Sequence, residues 1–120
     1  MLIEILKSKI HGAIITKKEL HCQGSIGIDR AILAQSDILV NQKVQVLNFN
    51  NGSRFETYVI EEEENSGQIV LYGPAARQAE TGDMVCIIAY GLIEHDQAQR
   101  SKPQVIVLGD RNKVKAGRLI

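Results

Sequence analysis

Apolar and polar residues alternate along much of this chain with a period of two, the spacing of strands that bury one face. Leu2, Ile3, Ile5, Leu6 and Ile10 are spread among polar positions, and Ala13-Ile14-Ile15 is apolar enough to be buried. A strand is therefore expected to about Ile15, with Lys9 and His11 on one of its faces. Thr16 to Glu19 reads as a polar connection and Leu20 to Cys22 as a short strand leading to Gly24-Ser25. Asp29 is a good N-cap for a short helix over Arg30 to Ser36. Val44 and Val46 alternate towards Phe49, and Asn50-Asn51-Gly52 predicts a type I′ hairpin turn. The return strand, Arg54 to Glu61, puts Arg54, Glu56, Tyr58 and Ile60 on one face and Phe55, Thr57 and Val59 on the other.

Four acids, Glu61 to Glu64, lead into Asn65-Ser66-Gly67, a solvated turn. Ile69 to Tyr72 is a strand stopped by Gly73-Pro74, and Ala75 to Ala79 a helical turn. Gly82-Asp83 turns the chain into its most apolar strand, Met84 to Ile93. A helical turn over Glu94 to Arg100 and a strand over Val105 to Leu108 follow. Residues 111–120 form a basic tail that is expected to be mobile. Short strands, frequent turns and brief helices make the fold mainly β, and a small barrel rather than a sandwich or a doubly wound sheet.

With 120 residues, 44% of them hydrophobic, the chain suits a single domain, 1–120, with a real core. Formal net charge is zero, there is no Trp, and aromatic residues make up 4%, which argues against nucleic acid as a partner. Cys22 and Cys86 stand far apart with no metal-binding spacing, as expected of reduced thiols in a cytoplasmic protein. No apolar run approaches 18 residues and the N-terminus is not a signal peptide, so no membrane partner is expected.

The chain has no P-loop, no GxGxxG fingerprint and no GxSxG elbow. His11, His21 and His95 have no metal-ligand spacing, so no metal is expected. What stands out is a set of polar residues on strands that otherwise read as core: Lys9, His11, Arg54, Thr57 and Tyr58. Taken singly, such residues are commonly amphipathic cover. A Gly-Ser pair, likewise, is ordinary turn punctuation. It also has a chemistry of its own. A serine Oγ can attack the carbonyl carbon of the preceding residue and convert the peptide to an ester, given strain and an oxyanion donor. β-Elimination then leaves dehydroalanine, and its hydrolysis leaves a pyruvoyl ketone.

The ordered set Lys9-x-His11, Leu20-His21-x-x-Gly24-Ser25, Asn51-Gly52-x-Arg54-Phe55-x-Thr57-Tyr58, Gly73-x-Ala75-Ala76 and Gly82-Asp83 resembles the pyruvoyl-dependent aspartate 1-decarboxylases, over at least residues 1–90. The resemblance implies a six-stranded double-psi β-barrel in a homotetramer with active sites between subunits. It implies self-cleavage into 1–24 and 25–120, with Ser25 becoming a covalent pyruvoyl group and Gly24 the new C-terminus. The implied reaction turns L-aspartate into β-alanine and CO2 through a Schiff base, for pantothenate synthesis.

By the same resemblance Tyr58 is the proton donor, and Thr57 contacts substrate and assists cleavage. Lys9, His11 and Arg54 line the aspartate pocket, and Gly73, Pro74 and Ala75 form a backbone segment touching substrate. Arg54 offers a planar fork to a carboxylate and Lys9 a point charge. Thr57 faces away from Tyr58 by strict alternation, so a twist or a second subunit must bring it in. Tyr72, Pro74 and Cys22 stand where the family often has Asn, Ala and Tyr. Pro74 also lacks a backbone N–H. A non-enzymatic binding module and a pyruvoyl decarboxylase of another amino acid remain the alternatives, since fold does not fix function.

Overall fold

In the computed structural model, which describes residues 1–116, Leu2–Ile14 forms one strand, β1. Its alternation is the expected one: Ser8 and Ile10 are fully buried, whereas Lys9 and His11 are half-buried on the other face. The remaining strands are β2 (Lys17–Glu19), β3 (Ser25–Asp29), β4 (Lys43–Asn48), β5 (Arg54–Glu62), β6 (Ile69–Tyr72), β7 (Met84–Glu94), β8 (Gln104–Leu108) and β9 (Val114–Ala116). They hydrogen-bond in the order β2-β6-β3-β5-β4-β7-β1-β8-β9.

β1 lies antiparallel to β7 along its whole length, from Leu2↔Glu94 to Ile14↔Met84, with irregularities between Leu6 and Ser8 and between His11 and Ala13. Gly12, at φ 81°, supplies the backbone conformation at the second irregularity. β8 runs parallel on the other side of β1. Ile10, Ile26, Val46, Val59, Leu71 and Ile106 are all fully buried in one cluster. Those residues come from strands spread across the sheet order, so the sheet curls around a single core. The expected mainly β, barrel-like class holds. The strand count is nine rather than six. β2 and β9 are three-residue strands held by backbone pairing, and the charged side chains of Lys17, Lys18 and Glu19 gave no apolar alternation to reveal β2.

Asp29 ties the middle of the chain together. It caps α1 (Arg30–Ser36) through Ala31 N–H at 2.8 Å, and it also accepts from the backbone N–H of Asn65 at 2.9 Å and of Gly67 at 2.8 Å. At 2% exposure it satisfies donors from two separate segments.

Four further expectations change. Leu20–Cys22 is a turn, because the strand before it ends at Glu19. The β4–β5 connection is a four-residue loop, Phe49–Gly52, closed by Asn48 N–H to Ser53 O at 2.9 Å. Only Gly52 there has positive φ, since the Asn48 and Asn51 side chains accept from the backbone N–H of Asn50 and Ser53 and stabilise turns that a type I′ geometry lacks. The helical turn after Tyr72 is a 3-10 turn over Gly73–Arg77, with Pro74 at its start, where a missing N–H costs nothing.

The tail, finally, is anchored over its first part. Asn112 is 2% exposed, accepts from Ile14 N–H at 2.8 Å, and donates to Ile14 O at 2.9 Å and Gly67 O at 2.8 Å. β9 then pairs with β8. The rest of the tail, 117–120, lies outside the described residues.

Asp29→Ala removes one acceptor from three backbone donors, each costing about 1–3 kcal/mol when left unsatisfied and buried. The expected outcome is a drop of roughly 10 °C or more in thermal midpoint, measured by circular dichroism, with Asp29→Asn losing clearly less.

Candidate active site

β3 begins at Ser25, and it is buried along its whole length. Ser25 pairs with Tyr72 of β6 on one side, and Ile26 pairs with Val59 of β5 on the other. The serine is 3% exposed, and among the described residues its hydroxyl makes no hydrogen bond. Gly24 does not occupy the left-handed region. What it contributes is room, since a Cβ there would stand 3.3 Å from Pro74 Cδ. Gly73 is the stricter position. Its φ is +65°, and a Cβ would come within 2.5 Å of the Cys22 carbonyl oxygen and 2.7 Å of Gly24 N. The 3-10 turn thus packs backbone to backbone against the segment entering Ser25.

β5 changes partner beside this point. Residues Arg54 to Tyr58 pair with β4, whereas Val59 to Glu62 pair with β3. The first half of β5 therefore has an open edge facing Gly24 and the 3-10 turn. A cleft of about 420 Å³ fills that edge, lined by Gly24, Phe55, Glu56, Thr57, Tyr58, Pro74, Ala75 and Gln78. Thr57 leans into the core side and Tyr58, 38% exposed, points outward. Both reach the cleft because it lies along the strand's edge rather than on either face.

Lys9, His11 and Arg54 are not in that cleft. They lie on the outer face of the β1-β7-β4-β5 sheet. The register runs His11↔Cys86, Cys86↔Leu47 and Leu47↔Arg54, which sets His11 and Arg54 three strands apart, about 14 Å. Burial pushes the Cys86 thiol up, and the nearby charges of Lys9 and Arg54 oppose that shift. Neither cation forms an ion pair among the described residues. The His11 ring meets Phe49 edge-on, with centroids 5.6 Å apart. Arg54 lines a second cleft, about 510 Å³, with Lys43, Gln45, Ile88 and Tyr90. Glu56, held by Lys43 at 3.3 Å, lines both clefts and separates them.

Glu56, Gln78 and Lys43 were not singled out by sequence, and neither was Glu62, which accepts from the Tyr72 hydroxyl at 2.7 Å. Glu62 sits in the acidic run read as a solvated turn. Extending the period of β5 by one more pair would have placed it on the face of Tyr58 and Ile60. Among the described residues no group of three or more His, Cys, Asp or Glu is placed to hold a metal ion.

The curled β domain thus brings Gly24, Thr57 and Tyr58 to one cleft along the open edge of a strand, a place where a small molecule can sit. The aspartate decarboxylase family matches residues 1–115. An aspartate 1-decarboxylase of Cytophaga hutchinsonii is 50% identical over 114 residues, 95% of this chain and 99% of that protein. Those of Thermoanaerobacter pseudethanolicus and Caldicellulosiruptor saccharolyticus are 50% identical over 109 residues and 49% identical over 114, covering 91% and 95% of this chain and 93% and 89% of theirs. The chain belongs to the aspartate decarboxylase family.

Gly73→Ala and Gly52→Ala separate backbone strain from lack of space. Both glycines have positive φ, but nothing lies within 4 Å of a Cβ at Gly52. Gly52→Ala is expected to cost about 1 kcal/mol. Gly73→Ala, forced into backbone atoms of Cys22 and Gly24, should cost roughly 3 kcal/mol or more in thermal or urea unfolding.

Proposed function

We propose that this protein decarboxylates L-aspartate to β-alanine and CO2, using a pyruvoyl group made from its own Ser25 by cleavage after Gly24. One observation carries the reading: in a chain of this family, Gly24, the residue before β3, lines a cleft together with Thr57, Tyr58 and Ala75. The residues present fit such a group. Ser25 starts a strand, its hydroxyl has no competing hydrogen bond among the described residues, and the residue before it has no Cβ to press on Pro74.

In cleavage, Ser25 Oγ attacks the Gly24 carbonyl carbon and the C–N bond breaks to give an ester. Loss of the Ser25 Cα proton then expels the Gly24 carboxylate. Water finally replaces the nitrogen, which leaves as ammonia. The Thr57 hydroxyl, which lines the same cleft, would donate to the oxyanion of the first step. The pyruvoyl ketone supplies the electron sink that takes up the pair left by departing CO2.

This chain's side chains do the rest. Tyr58 gives a proton to the carbon that has lost CO2. Pro74 has no N–H, so substrate contacts from the 3-10 turn come from Gly73, Ala75 or carbonyls. Lys9 and Arg54, cations without ion-pair partners among the described residues, suit a diacid, and His11 lies on their face.

Within one chain these three residues stand away from the Ser25 cleft. A homotetramer would close that distance, with one copy presenting Arg54, Lys9 and His11 to the cleft of the next. Leu2, Leu39 and Leu92, at 55%, 67% and 69% exposure, are apolar surface for such packing. No helix among the described residues is long and apolar enough to cross a membrane. The proposed setting is the cytoplasm, with the product consumed in pantothenate synthesis.

Intact-mass analysis of active protein is expected to give two fragments, 1–24 and 25–120, the larger without a free amine at its N-terminus. Active protein made only of uncut chain would remove the pyruvoyl reading. Tyr58→Phe should still cut, yet lose about 100-fold or more in β-alanine formation, the usual scale for a lost general acid. Undiminished turnover would take Tyr58 out of the donor role.

A further inference from the structure

Tyr72 and Glu62 line neither cleft, and the chemistry above does not use them. Tyr72 is the residue of β6 directly opposite Ser25. Glu62 is on β5, opposite Asp29. β3 runs between them, and the hydrogen bond from the Tyr72 hydroxyl to Glu62 Oε2, at 2.7 Å, crosses it from one neighbouring strand to the other. The crossing passes over Gly27. A Cβ on that residue would stand 1.9 Å from Glu62 Oε2 and 2.7 Å from its Cδ. Gly27 has no positive φ, so the fold uses its lack of a side chain rather than its backbone freedom. Burial, and then the Glu62 carboxylate, push the Tyr72 phenol up to about 12, which keeps it a donor at any working pH.

We propose that the Tyr72–Glu62 bond is a strap across β3 that keeps the start of this strand docked and so positions residue 25 for turnover. The proposal rests on the cleavage at Gly24-Ser25. In the uncut chain β3 is held at its start by a covalent lead-in. Once the chain begins at residue 25, that restraint is gone, and chain ends fray unless something ties them down. The backbone ladders to β5 and β6 remain, and the strap joins those two strands over the residue two positions into β3. Tyr72 and Glu62 are positioning residues: they act on residue 25 through the strand that carries it.

Deuterium exchange over residues 25–29, intact mass and steady-state kinetics test this on the purified protein and on Tyr72→Phe, Gly27→Ala, Glu62→Ala and Glu62→Gln. Gly27→Ala tests the strap without altering either partner, because its methyl displaces a flexible carboxylate rather than backbone. Losing a hydrogen bond to a charged acceptor should speed exchange over 26–28 about tenfold in Tyr72→Phe, Gly27→Ala and Glu62→Ala, and lower kcat by a similar factor with KM little changed. Glu62→Gln should restore both readouts relative to Glu62→Ala, since its amide oxygen accepts the same bond. Wild-type exchange and kcat in a folded Tyr72→Phe protein would overturn the strap. If Tyr72→Phe does not fold, the glutamate pair decides, and equal exchange and kcat in Glu62→Ala and Glu62→Gln would overturn it equally. The mass data separate the two readings. An uncut wild type in active preparations sinks the cleavage, whereas a cut wild type whose variants match it sinks only the strap.

Discussion

The exchange of partners along β5 is the constraint on which the candidate site depends. Up to Tyr58 the strand bonds to β4, and from Val59 onward it bonds to β3. β3 cannot extend back alongside Thr57 and Tyr58, because the residues before Ser25 are turned away to meet the 3-10 turn after Tyr72. An edge therefore stays open at an interior strand of the sheet, and the cleft is that opening. Unpaired edges are usually a liability that proteins cover. Here the gap gives side chains from both faces of one strand access to the same space, which strict alternation would deny them.

A second constraint acts from the opposite wall. Gly73 lies so close to Cys22 and Gly24 that backbone meets backbone with no side chain between. Such contact transmits position without a soft intermediary, so the peptide before Ser25 is placed by the 3-10 turn. Pro74 starts that turn and also forms the nearest neighbour that a side chain at Gly24 would meet. Family membership is shown over nearly the whole chain.

Much of this was legible in the chain. Period-two alternation located β1, β4, β5 and β7, unbroken apolar runs located β6 and β8, and β3 was not read as a strand; alternation also separated Phe55, Thr57 and Val59 from Arg54, Glu56 and Tyr58 correctly. Asp29 was recognisable as a cap, though not as an acceptor for Asn65 and Gly67, because those donors come from a turn more than thirty positions away. Strands β2 and β9 left no trace, since edge strands need only backbone and tolerate charge. The open edge beside Thr57 was invisible too. Alternation assigns a residue to a face, but only the register of two other strands tells where a neighbour stops. Gly27 and Glu62 were unremarked for a similar reason: a glycine inside a strand signals close approach, but not of what.

The placement of β1 bears on what the protein becomes after a cut at Gly24. β1 would then belong to the shorter piece, yet its strand partners, β7 and β8, belong to the longer one. Asn112 adds a side-chain bridge from the longer piece to both backbone groups of Ile14. The product would be a two-chain complex in which a 24-residue peptide supplies an interior strand of its partner's sheet, between β7 and β8. Folding of the uncut chain is intramolecular and indifferent to dilution, whereas reassembly of the cut one would require two molecules to meet. The cut would thus act as a ratchet, since the native arrangement is reached most readily while the bond is intact and thereafter is kept by the slowness with which so long a strand can be released.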